Sequence, residues 1–185
     1  LAGIRFLNSS SCYIEESVQL AAGTVIYPGV VLEGQTKIGP ECVLESGVVV
    51  KDSEIAGGSS IFANSYLEGC KVNEKARIGP MARIRPGSKI GESCKIGNFV
   101  ETKNAQLDKK VSVSHLSYVG DALINLKKLY IKINNKTTKI NPQEKKVLEK
   151  MLESPGKIFS RDNIGKIINI SKERTIDVMI TRLRQ

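Results

Sequence analysis

From Ile14 onward, every sixth residue is a branched aliphatic: Ile14, Leu20, Ile26, Leu32, Ile38, Leu44 and Val50. Four places further along each hexad stands a small or branched side chain: Val18, Thr24, Val30, Thr36, Cys42 and Val48. The rhythm blurs through Ala56 and Phe62 and slips by four. It restarts as Val72, Ile78, Ile84, Ile90 and Ile96, with Ala82, Ser88, Cys94 and Val100 in the second position. An α-helix repeats about every 3.6 residues and a half-buried antiparallel strand about every two, so neither accounts for sixes. A hexapeptide repeat does, with each hexad a short strand plus a corner and three hexads closing one triangular coil. The spacing predicts a left-handed parallel β-helix over residues 14 to about 105, with Ile26, Leu32, Ile38, Leu44, Ile84 and Ile90 inside. Gly39, Gly79, Gly91 and Gly97 follow core aliphatics, where the backbone is expected to turn sharply. The period specifies a fold and leaves the function open.

Most of these residues need no role beyond stacking, but three resist that reading. Arg85 and Lys103 are 18 residues apart, three hexads, so an uninterrupted helix places them one above the other, about 4.8 Å apart at the backbone. Two cations that close repel unless an anion is shared, which points to a phosphate or carboxylate site. His115, the single histidine, lies 12 residues beyond Lys103, and an imidazole suits general-base work near neutral pH. Cys12, Cys42, Cys70 and Cys94 are spread widely with no paired spacing. They are expected to be reduced, and Cys42 and Cys94 to serve as small core residues, with no metal site.

The rhythm ends at Ala122, and the charge changes with it. Residues 1–122 carry 13 basic and 13 acidic side chains, whereas 123–185 carry 15 and 6, so the whole net charge of +9 lies after the break. There INL and LYIKI alternate as strands do, NNK is a turn and TTKI closes a small sheet. Asn141-Pro142-Gln143-Glu144 gives an N-cap, a proline at the first helical position and an acid at the third. A second helix is expected from Ser160, and a third from Ser171 that carries Arg174, Thr181, Arg182 and Arg184 away from its apolar stripe. A helix–turn–helix plan with a basic last helix suits the DNA major groove, although a solvated basic surface would look the same on charge alone.

The stretches IGPMARIRPGSKI, IGNFVETKNAQL and VSHLSYVGDA, in that order, resemble the C-terminal β-helix of the bacterial bifunctional N-acetylglucosamine-1-phosphate uridyltransferase/glucosamine-1-phosphate acetyltransferase, GlmU. The resemblance covers roughly residues 3–122. It implies that Arg85 and Lys103 hold the sugar phosphate, that Tyr118 helps bind the sugar, and that His115 is the base that deprotonates the amine. It also implies a homotrimer. The family's acetyl-CoA surfaces lie on further coils, and the uridyltransferase half precedes the β-helix. Neither is recognisable here, so no cofactor and no detectable acetyl transfer are expected. The stretches INPQEKKVLEKMLESPGKIFSRDNI and ERTIDVMITRLR resemble the C-terminal winged-helix domain of OmpR-type response regulators over residues 124–185. That implies DNA contacts by Arg174, Arg182 and Arg184. The sequence ends before that family's wing hairpin, and Met179 and Thr181 replace residues often polar or basic there.

The expected organisation is therefore a partial β-helix over 1–122 and an incomplete winged helix over 123–185. The chain opens on Leu1, as expected of a trimmed chain or of a fragment of a longer reading frame. No run approaches the roughly 20 apolar residues of a membrane helix, and no signal-peptide layout is present, so a cytoplasmic protein without membrane contact is expected. The leading functional expectation is a DNA-binding module for transcription regulation on a degenerate β-helix. The alternatives are an amino-sugar acetyltransferase and an inactive trimeric scaffold.

Overall fold

A computed structural model describes residues 3–125, 130–133, 136–153, 159–169 and 176–177. From Arg5 to Asn125 the chain winds as strands of two to four residues that pair in parallel with the strands one coil before and after. Three faces of seven such strands each result, and the third continues into two further antiparallel strands. Face I runs from Arg5–Phe6 to Ser112–Val113, face II from Tyr13–Ile14 to Tyr118–Gly120, and face III from Gln19–Leu20 to Ala122–Asn125.

The interior is the aliphatic ladder. Ile26, Leu32, Leu44 and Ile84 are fully buried, and Ile38 and Ile90 nearly so. The second-position residues Thr24, Val30, Thr36, Cys42, Val48, Ala82, Ser88, Cys94 and Val100 are buried with them. Buried hydroxyls find acceptors nearby: Thr24 Oγ1 donates to the Gly39 carbonyl (3.0 Å) and Ser53 Oγ to the Lys51 carbonyl (2.7 Å). Among the described residues no buried side-chain polar atom lacks a partner, as a closed interior requires.

The blurred stretch has a geometric cause. The core residues there are Ile55, Ile61 and Leu67, all buried, rather than Ala56 and Phe62, which are only partly buried. Two corners between faces II and III are shortened by one residue, so Val50 is followed by Ile55 and Leu67 by Val72. The short corners turn on Asp52 (φ 46°) and Gly69 (φ 54°), residue types that tolerate the left-handed region. Asn104 (φ 47°) makes a third, between Thr102 and Leu107. Successive strands therefore pair 18 residues apart at Arg77↔Lys95 and 17 apart at Lys95↔Ser112.

The glycines need a correction. Only Gly79 of the four expected turn glycines has a positive φ. Gly39, Gly91 and Gly97 are required because the next coil passes too close for a Cβ, which at Gly91 would lie 2.6 Å from the Asp108 backbone. The left-handed positions fall two residues later and hold Glu41, Met81, Ser93 and Phe99.

The strand ladder also runs past the expected boundary at Ala122. Ala122–Asn125 pairs in parallel with Gln106–Leu107, and Tyr130–Ile133 and Lys136–Lys139 add to it in antiparallel order. Two helices follow, α1 (Pro142–Glu153) and α2 (Arg161–Ile168). Asn141 Oδ1 accepts from the amides of Gln143 and Glu144, and the Glu144 carboxylate accepts from the Asn141 amide. Ser160 and Asn163 make the same reciprocal cap on α2. Val147, Ile164, Ile168 and Ile176 form a separate small core. A complete winged helix is not seen: of the expected third helix only Ile176 and Asp177 are described, and both are helical. Among the described residues no helix is long and apolar enough to cross a membrane.

All four cysteines are free. Burial pushes the Cys70 thiol up to about 11, and burial also raises those of Cys42 and Cys94. Since the thiolate is the reactive form, alkylation at pH 8 should modify half-buried Cys12 first. Cys42, Cys70 and Cys94 should react only on unfolding, or for Cys70 as pH approaches 11. Mass spectrometry of a timed iodoacetamide reaction checks this, and equal rates at all four would contradict it.

Candidate functional site

The residues singled out in the sequence gather along face II and the corner leading into it. Arg83–Ile84 pairs with Glu101–Thr102, and the Arg85 amide donates to the Thr102 carbonyl (2.8 Å). Continuing that register sets Arg85 beside Lys103, as the 18-residue spacing requires. Lys103 in turn pairs with Gly120, and Glu101 with Tyr118. The expected anion between the two cations is partly internal: Arg85 Nη1 lies 2.9 Å from Glu101 Oε1. Both side chains are about 40% exposed (41% and 42%), so the pair is screened and contributes about 0–1 kcal/mol. A ligand phosphate can compete for Arg85 at that level. Glu101 meanwhile restrains the Arg85 guanidinium.

Tyr118 is 62% exposed, and its ring lies over Gly120. A Cβ at Gly120 would collide with the Tyr118 ring and hydroxyl. The bare glycine thus lets the phenol lie back along its strand toward Lys103. His115 stands at the corner between faces I and II, exposed, one residue before Leu116, whose amide donates to the Asn98 carbonyl (3.1 Å). The coil beneath fits closely there: a methyl on Gly97 would come within 2.9 Å of the His115 amide nitrogen. Arg85, Lys103, Tyr118 and His115 thus share one face and its leading corner. Arg174, Arg182 and Arg184 lie outside the described residues.

Sequence reasoning missed two features. Met81, Phe99 and Leu116 stack along the corner that carries His115, each in the left-handed region (φ 54°) and 48%, 53% and 76% exposed. Their signal was available: each stands three places after a core residue of face I. The second feature is a cleft of about 450 Å3 on the other side of the corner, lined by Phe62, Arg77, Lys95, Ser112, Ser114 and His115 among others. No group of three or more His, Cys, Asp or Glu side chains among the described residues could hold a metal ion.

No protein-family model matches the chain. Over 121 residues it is 48% identical to the bifunctional protein GlmU of Syntrophotalea carbinolica, covering 65% of this chain and 26% of the relative. Against the GlmU of Clostridioides difficile the identity is 36% over 120 residues, with the same coverage. The chain thus spans about a quarter of the length of the curated relatives it matches. Among solved structures, the acetyltransferase domain of PglB from Neisseria gonorrhoeae matches 56% of this chain and 54% of its own, at 20% identity and a TM-score of 0.50. AntD, an N-acyltransferase from Bacillus cereus, matches 82% of this chain and 90% of its own, at 12% identity and a TM-score of 0.54.

Two glycine variants separate backbone from side-chain positioning. Gly97→Ala should cost about 1–3 kcal/mol, because the neighbour that must move is the backbone under His115. Gly120→Ala should cost under about 1 kcal/mol, since the obstructing atoms are a side-chain ring that can swing away. Denaturant melts and the NMR signals of the Tyr118 ring check both, and an unmoved ring in Gly120→Ala would refute the packing described. The N-terminal part is a left-handed parallel β-helix similar to that of GlmU.

Proposed function

We propose that the β-helix binds the acceptor of a GlmU-type acetyltransferase reaction, a phosphorylated amino sugar, across face II. The observation that supports this most is the alignment of Arg85, Lys103 and Tyr118 on one face with His115 at its leading corner. The sequence similarity to GlmU spans the same residues. Arg85 and Lys103 take the phosphate oxygens by charge-assisted hydrogen bonds, and the Tyr118 ring supports the sugar. His115, in its neutral form, accepts the proton of the sugar ammonium and leaves a nucleophilic amine. The acyl donor of the family reaction is acetyl-CoA, which the resemblance would seat on further coils. Among the described residues, Ala122–Asn125 pairs onward with the antiparallel strand Tyr130–Ile133 instead of another coil. The exposed Met81, Phe99 and Leu116 ladder supplies an apolar strip for the homotrimer that this reading includes.

Calorimetry with glucosamine 1-phosphate at low salt tests the reading. The full chain should bind, and Arg85→Ala and Lys103→Ala should each weaken binding at least about tenfold. His115→Ala should change it less than about threefold, because the base meets the amine and not the phosphate. Equal binding by the Arg85→Ala/Lys103→Ala double variant, or none by the wild type, would end the acceptor reading. Acetyl transfer that disappears in His115→Ala would extend it to a complete enzyme.

A second reading, a DNA-binding segment after Ala122, is favoured by one observation. Two short helices, α1 and α2, follow the hairpin and share a small core with Ile176, which is a part of what a winged helix needs. The net positive charge of the chain lies in the same segment. In this reading Arg174, Arg182 and Arg184 contact duplex DNA weakly. With about three or four phosphate contacts, log affinity should fall against log salt with a slope near −3. A titration of the wild type and of the triple Arg→Ala variant checks this. Equal binding by the two, or none at low salt, would remove the DNA reading.

A further inference from the structure

Face I carries an unbalanced pair of cations that the acceptor reading does not use. Its outward column runs Arg5, Val25, Val43, Ser60, Arg77, Lys95, Ser112, so no acid stands in it. Arg77 and Lys95 are direct partners in the parallel register, about 4.8 Å apart at the backbone. In the other stacked cation pairs at least one member is offset: Lys71, beside Lys89, by Glu54 (2.9 Å), and Arg85, beside Lys103, by Glu101 (2.9 Å). Among the described residues neither Arg77 nor Lys95 has an ion pair. Glu74 and Glu92, the nearest acids in sequence, stand three residues earlier at the preceding corner and make none with them.

The pair is also partly organised. The Arg77 guanidinium lies over the Phe62 ring, 5.3 Å from its centroid, which restrains the group while leaving N–H donors at its edge. Ser112 follows Lys95 in the column one coil on, and Ser114 and His115 close the cleft of about 450 Å3 into which these side chains project. From Arg77 to Ser112 the column spans two coil spacings, about 10 Å. That is longer than a single phosphate and suits two linked ones. Cations stacked at this spacing, with hydroxyl donors beyond them and no counter-charge, are a recognition set for a diphosphate.

We propose that Arg77 and Lys95, with Ser112 and Ser114, form a diphosphate-binding site on face I, separate from the Arg85–Lys103 pair on face II. The inference stands apart from the acceptor reading: either cation pair can bind its anion without the other. Because the cleft ends at His115, an anion bound there changes the surroundings of the one imidazole in the chain.

That imidazole supplies the test. Its ring-proton NMR signals are followed in the full chain at constant pH and low salt while inorganic pyrophosphate is added, with inorganic phosphate as comparison. The wild type should show saturable movement, with pyrophosphate at least about tenfold tighter than phosphate. Arg77→Gln/Lys95→Gln should abolish the movement, whereas Arg85→Gln/Lys103→Gln, which removes the same charge, should preserve it. Pyrophosphate bound by the basic residues beyond Ala122 does not produce this pattern, because both double variants retain those residues. All four substitutions lie on exposed or half-exposed outward positions, and a thermal melt confirms folding. The proposal is overturned if the His115 signals do not respond, if the response survives Arg77→Gln/Lys95→Gln, or if only Arg85→Gln/Lys103→Gln removes it. The last outcome would leave the acceptor reading standing and assign all anion binding to face II.

Discussion

The backbone ladder between consecutive coils is the interaction on which everything else in this chain depends. Strands of two or three residues have no stability alone. Here each is held on both sides by the coil above and the coil below, as when the Val25 amide donates to the Cys42 carbonyl (2.8 Å) and the Val43 amide to that of Ser59 (2.9 Å). Such bonds form only if every coil closes after the right number of residues. A coil of 17 or 18 keeps the aliphatics inside and aligns the outward residues in columns. Outward residues on this fold are therefore arranged in columns: neighbours across coils are distant along the chain. Arg85 with Lys103, and Arg77 with Lys95, are both products of that rule.

How far the sequence reveals such a structure depends on where a side chain points. The interior was legible because one position per hexad is nearly always aliphatic, with Thr102 a buried exception, and the ladder from Ile26 to Ile96 follows the spacing apart from the shortened corners. The phase slip was visible, but its cause was not. A shortened corner at Asp52 shifts the core to Ile55, while Ala56 and Phe62 are apolar enough to pass for the missing beats. Glycine carries two meanings that sequence does not separate, a left-handed turn at Gly79 and a close approach of backbones at Gly97. The Arg85–Lys103 juxtaposition could be counted out in hexads, but not the Glu101 partner, which sits in the adjacent column and reaches Arg85 diagonally. In the C-terminal part the caps at Asn141 and Ser160 were legible because they are local hydrogen-bond patterns. Tertiary placement of the arginines beyond Ser171 has no such local signature.

A parallel β-helix must also end, and its last coil presents unpaired strand edges. The three faces end differently. Face III continues into an antiparallel hairpin, Tyr130–Ile133 and Lys136–Lys139, which occupies the edge of Ala122–Asn125. Helix α1 comes close to Ser112–Val113, the last strand of face I. The segment after Ala122 thus terminates the solenoid whatever else it does. Its lysine-bearing strand Lys136–Lys139 is suited to an outer edge, since charge there discourages further pairing.

Face II receives neither addition among the described residues. Among the described residues no strand follows Tyr118–Gly120 on that face, and none follows Ser112–Val113 on face I, where α1 lies near instead. A strand-paired edge, as on face III, has its backbone groups satisfied. An open edge leaves backbone donors and acceptors available beside an exposed tyrosine and one strand above Lys103. A polar ligand such as a sugar can be met there by main chain and side chain together. The unpaired edge of face II and the Arg85–Lys103 column below it meet beside Tyr118, so main-chain and side-chain polar groups share one end of that face.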